Sequence, residues 1–258
     1  MDILSQEGVD FSINSNLHLL TKRDAKTLKE KGTKNVLTSI LGQKEIHEKI
    51  NGVPNSFHRV MDSIELLLKE NIPVVANMVV LESNVEQVYK TGKMIWEKFK
   101  IPFAATPKVP ACGNPNLKML DRKQYIGVLD DLIKLSSDFK MNIQSLHPPL
   151  PCMFNDSERL KYQYFLDSRK CGAGRGTVAF SINGDVRACS HEKEVYGNLL
   201  KESFKDIFER MSSWRKGNFI PEECNPCSYY YQCRGGVEVL QKLLILQKMQ
   251  FILILEDL

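Results

Sequence analysis

Residues 72–80 read Ile72-Pro73-Val74-Val75-Ala76-Asn77-Met78-Val79-Val80, and their reading decides the fold class. A strand with one wet face alternates apolar and polar residues; this one is apolar on both faces, as a strand in the interior of a parallel sheet requires. The flanking residues agree. Asn84, with Gln87 three residues on, reads as the capped start of a helix that turns Val88, Ile95, Trp96 and Phe99 inward. Upstream, Asn35 to Leu41 reads as another strand, followed by a helix from Ser56 with Phe57, Val60, Met61, Ile64, Leu67 and Leu68 on one face.

The same unit recurs on both sides. Val9 to Ile13 reads as a short strand, after which Thr21 and Asp24 cap a helix over Lys22 to Lys31 that Gly32 stops. Ile101 to Val109 reads as a further strand, and Asp121 to Asp138 as a helix carrying Leu129, Leu132 and Ile133 inward. Strands alternating with helices predict α/β architecture with a parallel sheet and right-handed crossovers. Pro148, Pro149 and Pro151 close this first domain near residue 150.

The chain has 258 residues, 43% of them hydrophobic and 26% charged, enough for a sizeable core and too apolar for a disordered protein. Its 35 Lys and Arg against 31 Asp and Glu are interspersed, so no basic face favours nucleic acid. Apolar runs such as Phe251 to Leu255 fall far short of the roughly 20 residues a membrane span needs. Met1 to Asp10 has no export-signal pattern, which makes a cytoplasmic setting the expectation.

Beyond the prolines the pattern changes. Thr177 to Ile182, Asn183-Gly184 and Asp185 to Cys189 read as a β-hairpin across a two-residue type I′ turn. Glu202 to Met211 reads as a helix, Pro221 to Gly236 as an irregular segment, and 238–258 as an atypical Leu/Ile/Gln/Lys tail open to helix packing, partner binding or aggregation.

Seven cysteines in a reducing compartment are poor disulfide material. Five are informative. Cys171, Gly184 and Cys189 form C-x12-G-x4-C, and Cys224, Cys227 and Cys233 form C-x2-C-x5-C. A C-x2-C turn aims two thiolates at one metal centre, and thiolates suit zinc or iron–sulfur clusters. A zinc ribbon asks for a second C-x2-C, which the 171/189 pair does not supply; plain buried cysteines are the third reading. Cys112 and Cys152 have no partner at ligand spacing and read as free thiols. His191, two residues past Cys189, is either a further ligand or an exposed loop histidine. Gly172-Ala173-Gly174-Arg175-Gly176 either cradles an anion or lets the backbone pass close to a metal centre. Asp185 and Arg187 read as the solvated face of the hairpin.

The two cysteine patterns, in this order, resemble the SPASM auxiliary-cluster domain of radical S-adenosylmethionine (SAM) enzymes. Upstream, Ser12-Ile13-Asn14-Ser15-Asn16 with Leu19-Leu20-Thr21, then Thr38-Ser39-Ile40-Leu41-Gly42, His47-Glu48, Gly52 and Ser56-Phe57, resemble the third and fourth strands of the radical SAM barrel and the helices after them. Ile72 to Val80 with Asn84 is similar to the fifth. The resemblance implies a partial (β/α) TIM-type barrel over 1–150 and a small α+β SPASM module over 151–237. It implies auxiliary 4Fe-4S clusters on Cys171, Cys189, Cys224, Cys227 and Cys233, and contacts from Asn16 and Ser39 to S-adenosylmethionine. A peptide or protein substrate, as in sulfatase activators and peptide maturases, and an electron donor such as a flavodoxin or ferredoxin complete the expectation.

The sequence departs from the family at stated points. The C-x3-C-x2-C motif that holds the SAM-cleaving cluster is not among these residues, the first cysteine being Cys112. Nor is the Gly-Gly-Glu segment that binds the cofactor's amino group. The family expects an acidic residue within Ser39 to Gly42 and an arginine where Asn51 stands; losing such a contact costs about 1.5–3 kcal/mol. The fourth cysteine of C-x2-C-x5-C-x3-C falls at Val237. The expectation is that this chain binds iron through thiolates without cleaving SAM by itself, its missing front and altered tail reflecting truncation or a shifted reading frame. A non-enzymatic zinc-binding module for a peptide or protein partner, and a degraded fragment, are the alternatives.

Overall fold

A computed structural model describes residues 1–109, 118–147, 149–168 and 170–236. Cys112, Pro148 and the tail after Gly236 lie outside the described residues. The chain divides into two compact units, one of Met1–Lys108 and Lys123–Leu146, the other of the described residues in Val109–Arg122 and His147–Leu258.

The first unit runs α1 (Asp2–Gln6), β1 (Ile13–Asn14), α2 (Lys22–Glu30), β2 (Val36–Ser39), α3 (Lys44–Asn51), α4 (Ser56–Lys69), β3 (Val74–Val80), α5 (Val88–Phe99), β4 (Phe103–Pro107), α6 (Arg122–Phe139) and β5 (Ile143–Gln144). The strands lie in the order β1-β2-β3-β4-β5, every neighbouring pair parallel. Val74, Ala76, Met78 and Val80 on one face of β3 are buried, and so is Asn77 on the other. β4 is buried at all five positions. The α/β reading with a parallel sheet therefore holds.

Local differences have local causes. β1 is later and shorter than the expected Val9 to Ile13, because the Val9 N–H donates to Leu4 O at 2.8 Å and closes α1 instead of joining the sheet. Helix α3 is an addition to the sequence reading; its one buried residue is His47, which carries no apolar signal. The Thr21/Asp24 capping box forms as expected. The Asn84/Gln87 box does not. Asn84 turns into the interior, accepting from the Leu81 N–H at 2.7 Å and donating to Leu41 O at 2.9 Å and Val79 O at 3.1 Å. In α6 the face toward the core is Val128, Leu129, Leu132 and Leu135, with Ile133 half-buried.

The second unit has a 3₁₀ turn at Pro151–Met153, α7 (Asp156–Lys161), α8 (Gln163–Ser168), β6 (Ala179–Phe180), β7 (Asp185–Arg187), β8 (Gly197–Asn198), α9 (Phe204–Arg210), α10 (Ser212–Lys216), a 3₁₀ turn at Glu222–Cys224 and α11 (Tyr230–Cys233). β6, β7 and β8 form an antiparallel sheet. The hairpin stands, but its turn differs from the expectation. Gly184 has φ +85° while Asn183 is not left-handed, and Ser181 N–H donates to Asp185 O across a three-residue loop. That is a type I turn closed by a left-handed glycine rather than type I′. Asp185 is not free in solvent either, since Asn198 Nδ2 donates to it at 2.8 Å. The core here is Ala173, Val186, Ala188, Ile207, Met211 and Trp214. Among the described residues no helix is long and apolar enough to cross a membrane.

Candidate metal centre

Cys171 and Cys189 both pack against the small core around Trp214. They are brought to it by the glycine loop 172–176: the Gly174 N–H donates to Ala188 O at 3.0 Å, tying the residues after Cys171 to the residue before Cys189. Gly174 has φ +63°, and a Cβ there would stand 2.7 Å from Trp214 Cβ and Cγ. The N–H groups of 174–177 are spent on Gly172, Thr177 and Ala188 carbonyls. The loop is thus a close-approach device, with four successive N–H groups turned onto its own carbonyls and that of Ala188 rather than onto an anion.

Cys189 Sγ lies 3.6 Å from His191 Nδ1 and accepts the His191 backbone N–H at 3.4 Å. Burial would raise this thiol, but the His191 contacts, with Ser190, outweigh it and hold Cys189 below the ordinary thiol range. The hydrogen bond to Cys189 raises His191 in return. His191 is half-buried, with its ring edge-to-face at 5.8 Å from His147, and is not the exposed loop histidine of the sequence alternative.

Cys224 closes one 3₁₀ turn and Cys233 closes α11, with Cys227 N–H donating to Cys224 O at 3.0 Å between them. Burial is the main cause that raises the Cys224 thiol and pushes the Cys233 thiol up to about 11. Neighbouring sulfurs add to it: Cys152 and Cys227 act on Cys224, and Cys152 and Cys224 act on Cys233. Cys152, which sequence spacing left without a partner, therefore lies in the field of this set. No spacing rule could reach it, because it comes from the proline turn far upstream.

Among the described residues, no three Cys, His, Asp or Glu side chains converge on one point at metal-ligand distance. The donor chemistry fits iron–sulfur clusters better than zinc. Zinc gathers four donors within about 2.3 Å of one ion, whereas a cluster takes each thiolate on a separate iron and leaves the sulfurs further apart.

In the first unit, Ser39 ends β2 opposite Asn77 of β3, and Asn16 follows β1 by two residues. Both stand at carboxyl ends of parallel strands, where open α/β sheets bind ligands. Asn16 Oδ1 accepts the His18 N–H at 3.2 Å, and its side chain is exposed. Thr106 of β4 donates its hydroxyl to Asn77 Oδ1 at 2.9 Å and accepts the Leu146 N–H at 3.1 Å, a buried polar pair on the same sheet that the sequence reading did not single out.

Residues 171–228 match the SPASM family, described as an iron–sulfur cluster-binding domain. Over 242 residues, 88% of this chain and 69% of the relative, the chain is 24% identical to the AdoMet-dependent heme synthase of Methanosarcina barkeri (strain Fusaro / DSM 804). Residues 171–228 are thus a SPASM domain, within a chain that resembles radical SAM/SPASM enzymes over most of its length. Its fold is that of solved radical SAM/SPASM enzymes. Native anSMEcpe with bound AdoMet matches with a TM-score of 0.64 and 24% identity over 89% of this chain. SuiB of Streptococcus suis matches with a TM-score of 0.70 and 15% identity over 96% of it. The chain spans 65% of the length of anSMEcpe and 59% of that of SuiB. The matched domain starts at Cys171, with Cys189, Cys224 and Cys227 inside the match and Cys233 just beyond it.

Proposed function

We propose that this chain is part of a radical SAM/SPASM protein that modifies peptide or protein side chains, and that it holds auxiliary 4Fe-4S clusters on Cys171, Cys189, Cys224, Cys227 and Cys233. The observation that carries the reading is the SPASM match over 171–228, which falls on the unit where those cysteines are folded. In such a protein S-adenosylmethionine supplies a radical that abstracts hydrogen from the substrate. The role of these residues is to bind, position and pass electrons, with a flavodoxin or ferredoxin as the expected donor. Solved relatives support the substrate class: anSMEcpe has been captured with the Kp18Cys peptide and SuiB with the precursor peptide SuiA. Asn16 and Ser39, at strand carboxyl ends, are the proposed contacts to S-adenosylmethionine.

A second reading rests on the curated relatives, two AdoMet-dependent heme synthases each matched over 88% of this chain. On that reading the substrate is a heme precursor, and the SPASM cysteines keep the same role.

The C-x3-C-x2-C motif is not among these 258 residues, so the reading assigns SAM cleavage to cysteines other than those present. Incubating the anaerobically reconstituted chain with S-adenosylmethionine and dithionite tests this. No 5′-deoxyadenosine is expected. Turnover by the chain alone would overturn the ligand assignment.

A further inference from the structure

The family resemblance expects a further cysteine after C-x2-C-x5-C, at the position of Val237, and the sequence has none there or later. The structure brings another one to the site. Three contacts tie the segment carrying Cys224, Cys227 and Cys233 to the segment 150–168. The Arg159 guanidinium lies 5.5 Å from the centre of the Tyr229 ring while its Nε–H donates to Pro151 O at 3.1 Å. Gln232 Nε2–H donates to Asp167 Oδ1 at 2.8 Å. Gly236 packs so closely on Leu150 that a Cβ would collide with the leucine side chain. Cys152 sits in the 3₁₀ turn Pro151–Met153, between the Leu150 and Arg159 anchors.

We propose that Cys152 supplies the fourth thiolate to an iron–sulfur cluster held by Cys224, Cys227 and Cys233. This rests on the cluster reading above and deepens it by naming the ligand that completes the site. The Cys152 sulfur acts electrostatically on those of Cys224 and Cys233 and is acted on by that of Cys227, so the four thiols occupy one neighbourhood. Four cysteine thiolates are the usual complement of a 4Fe-4S cluster. A cluster with four thiolates is an anion, and Arg159, whose charge reaches Cys152, supplies a positive group beside it. Cys152 is itself an exposed residue, within reach of iron from solvent. Cys171 and Cys189, packed on the Trp214 core, belong to a separate set.

Thiol footprinting of the full chain tests the proposal without depending on a variant's folding. The apo and anaerobically reconstituted forms are alkylated with iodoacetamide and each cysteine is read by peptide mass spectrometry. Cys152 is expected to lose at least ten-fold of its labelling on reconstitution, together with Cys227, and to regain it when iron is chelated. Equal labelling of Cys152 in both forms, with Cys227 protected, would overturn the fourth-ligand proposal alone. Equal labelling of Cys227 as well would overturn the cluster reading with it. In parallel, Cys152→Ala and Cys227→Ala should both lower iron and sulfide per chain. An unchanged Mössbauer spectrum in Cys152→Ala would contradict the proposal.

Discussion

The indole Nε1–H of Trp214 donates to the Tyr196 hydroxyl at 2.8 Å from a fully buried position. This bond ties α10 to the residue just before β8, while the Trp214 ring packs at 4.8 Å on Phe219 and covers Gly174. Truncating Trp214→Ala removes the largest side chain of that core and should cost about 3–5 kcal/mol. Trp214→Phe keeps most of the apolar contact and loses the donor, for about 1 kcal/mol. Urea midpoints of the two variants should fall in that order.

Gly174→Ala should destabilise the same unit from the other side. The position has φ +63° and no room beside Trp214, so both strain and overpacking act. A loss of about 1–3 kcal/mol is expected, read as a lower denaturation midpoint.

Asn84 is 1% exposed and makes three hydrogen bonds to main chain. Asn84→Leu would leave the Leu41 and Val79 carbonyls and the Leu81 N–H without it. Each orphaned buried group costs about 1–3 kcal/mol, so this change should be among the most damaging single substitutions in the parallel sheet. Thermal unfolding by circular dichroism reads the effect.

His47 makes the first unit sensitive to acid. Its Nδ1 accepts the Leu41 N–H at 3.1 Å, and the Asn51 side-chain amide lies 2.8 Å from its Nε2. Burial lowers the His47 pKa, so the folded state favours the neutral ring. The unfolded chain then binds more protons below about pH 6.5, and its stability contribution is present above that value and lost as pH falls toward the folded pKa. His47→Gln should flatten the stability profile below about pH 6.5, measured by urea denaturation at stepped pH.

Much of this was legible in the sequence, and the remainder was hidden for definite reasons. The apolar runs of β2, β3 and β4 and the amphipathic face of α4 carry the periodicities that sheet and helix burial impose. Thr21 and Asp24 formed their box because both partners are local. Asn84 carried the same local signal, yet three buried main-chain groups compete for its amide, and that competition exists only after β2 and β3 pair. The two-residue strands β1, β5 and β8 are too short for a period. Helix α3 buries a histidine where a pattern asks for an aliphatic residue. At the proposed metal centre, the cysteines close in sequence stand out by their spacing. Cys152 does not, because the contacts of Arg159 with Tyr229 and of Leu150 with Gly236 that tie its turn to their segment exist only in the fold.

The most direct measurement of the central claim is iron, acid-labile sulfide and zinc per chain in protein isolated without oxygen, compared with Cys171→Ser, Cys189→Ser, Cys224→Ser, Cys227→Ser and Cys233→Ser. The account predicts brown protein with iron and sulfide in near-equal amounts, diminished by each substitution. Stoichiometric zinc without sulfide, or iron content that no substitution changes, would contradict it.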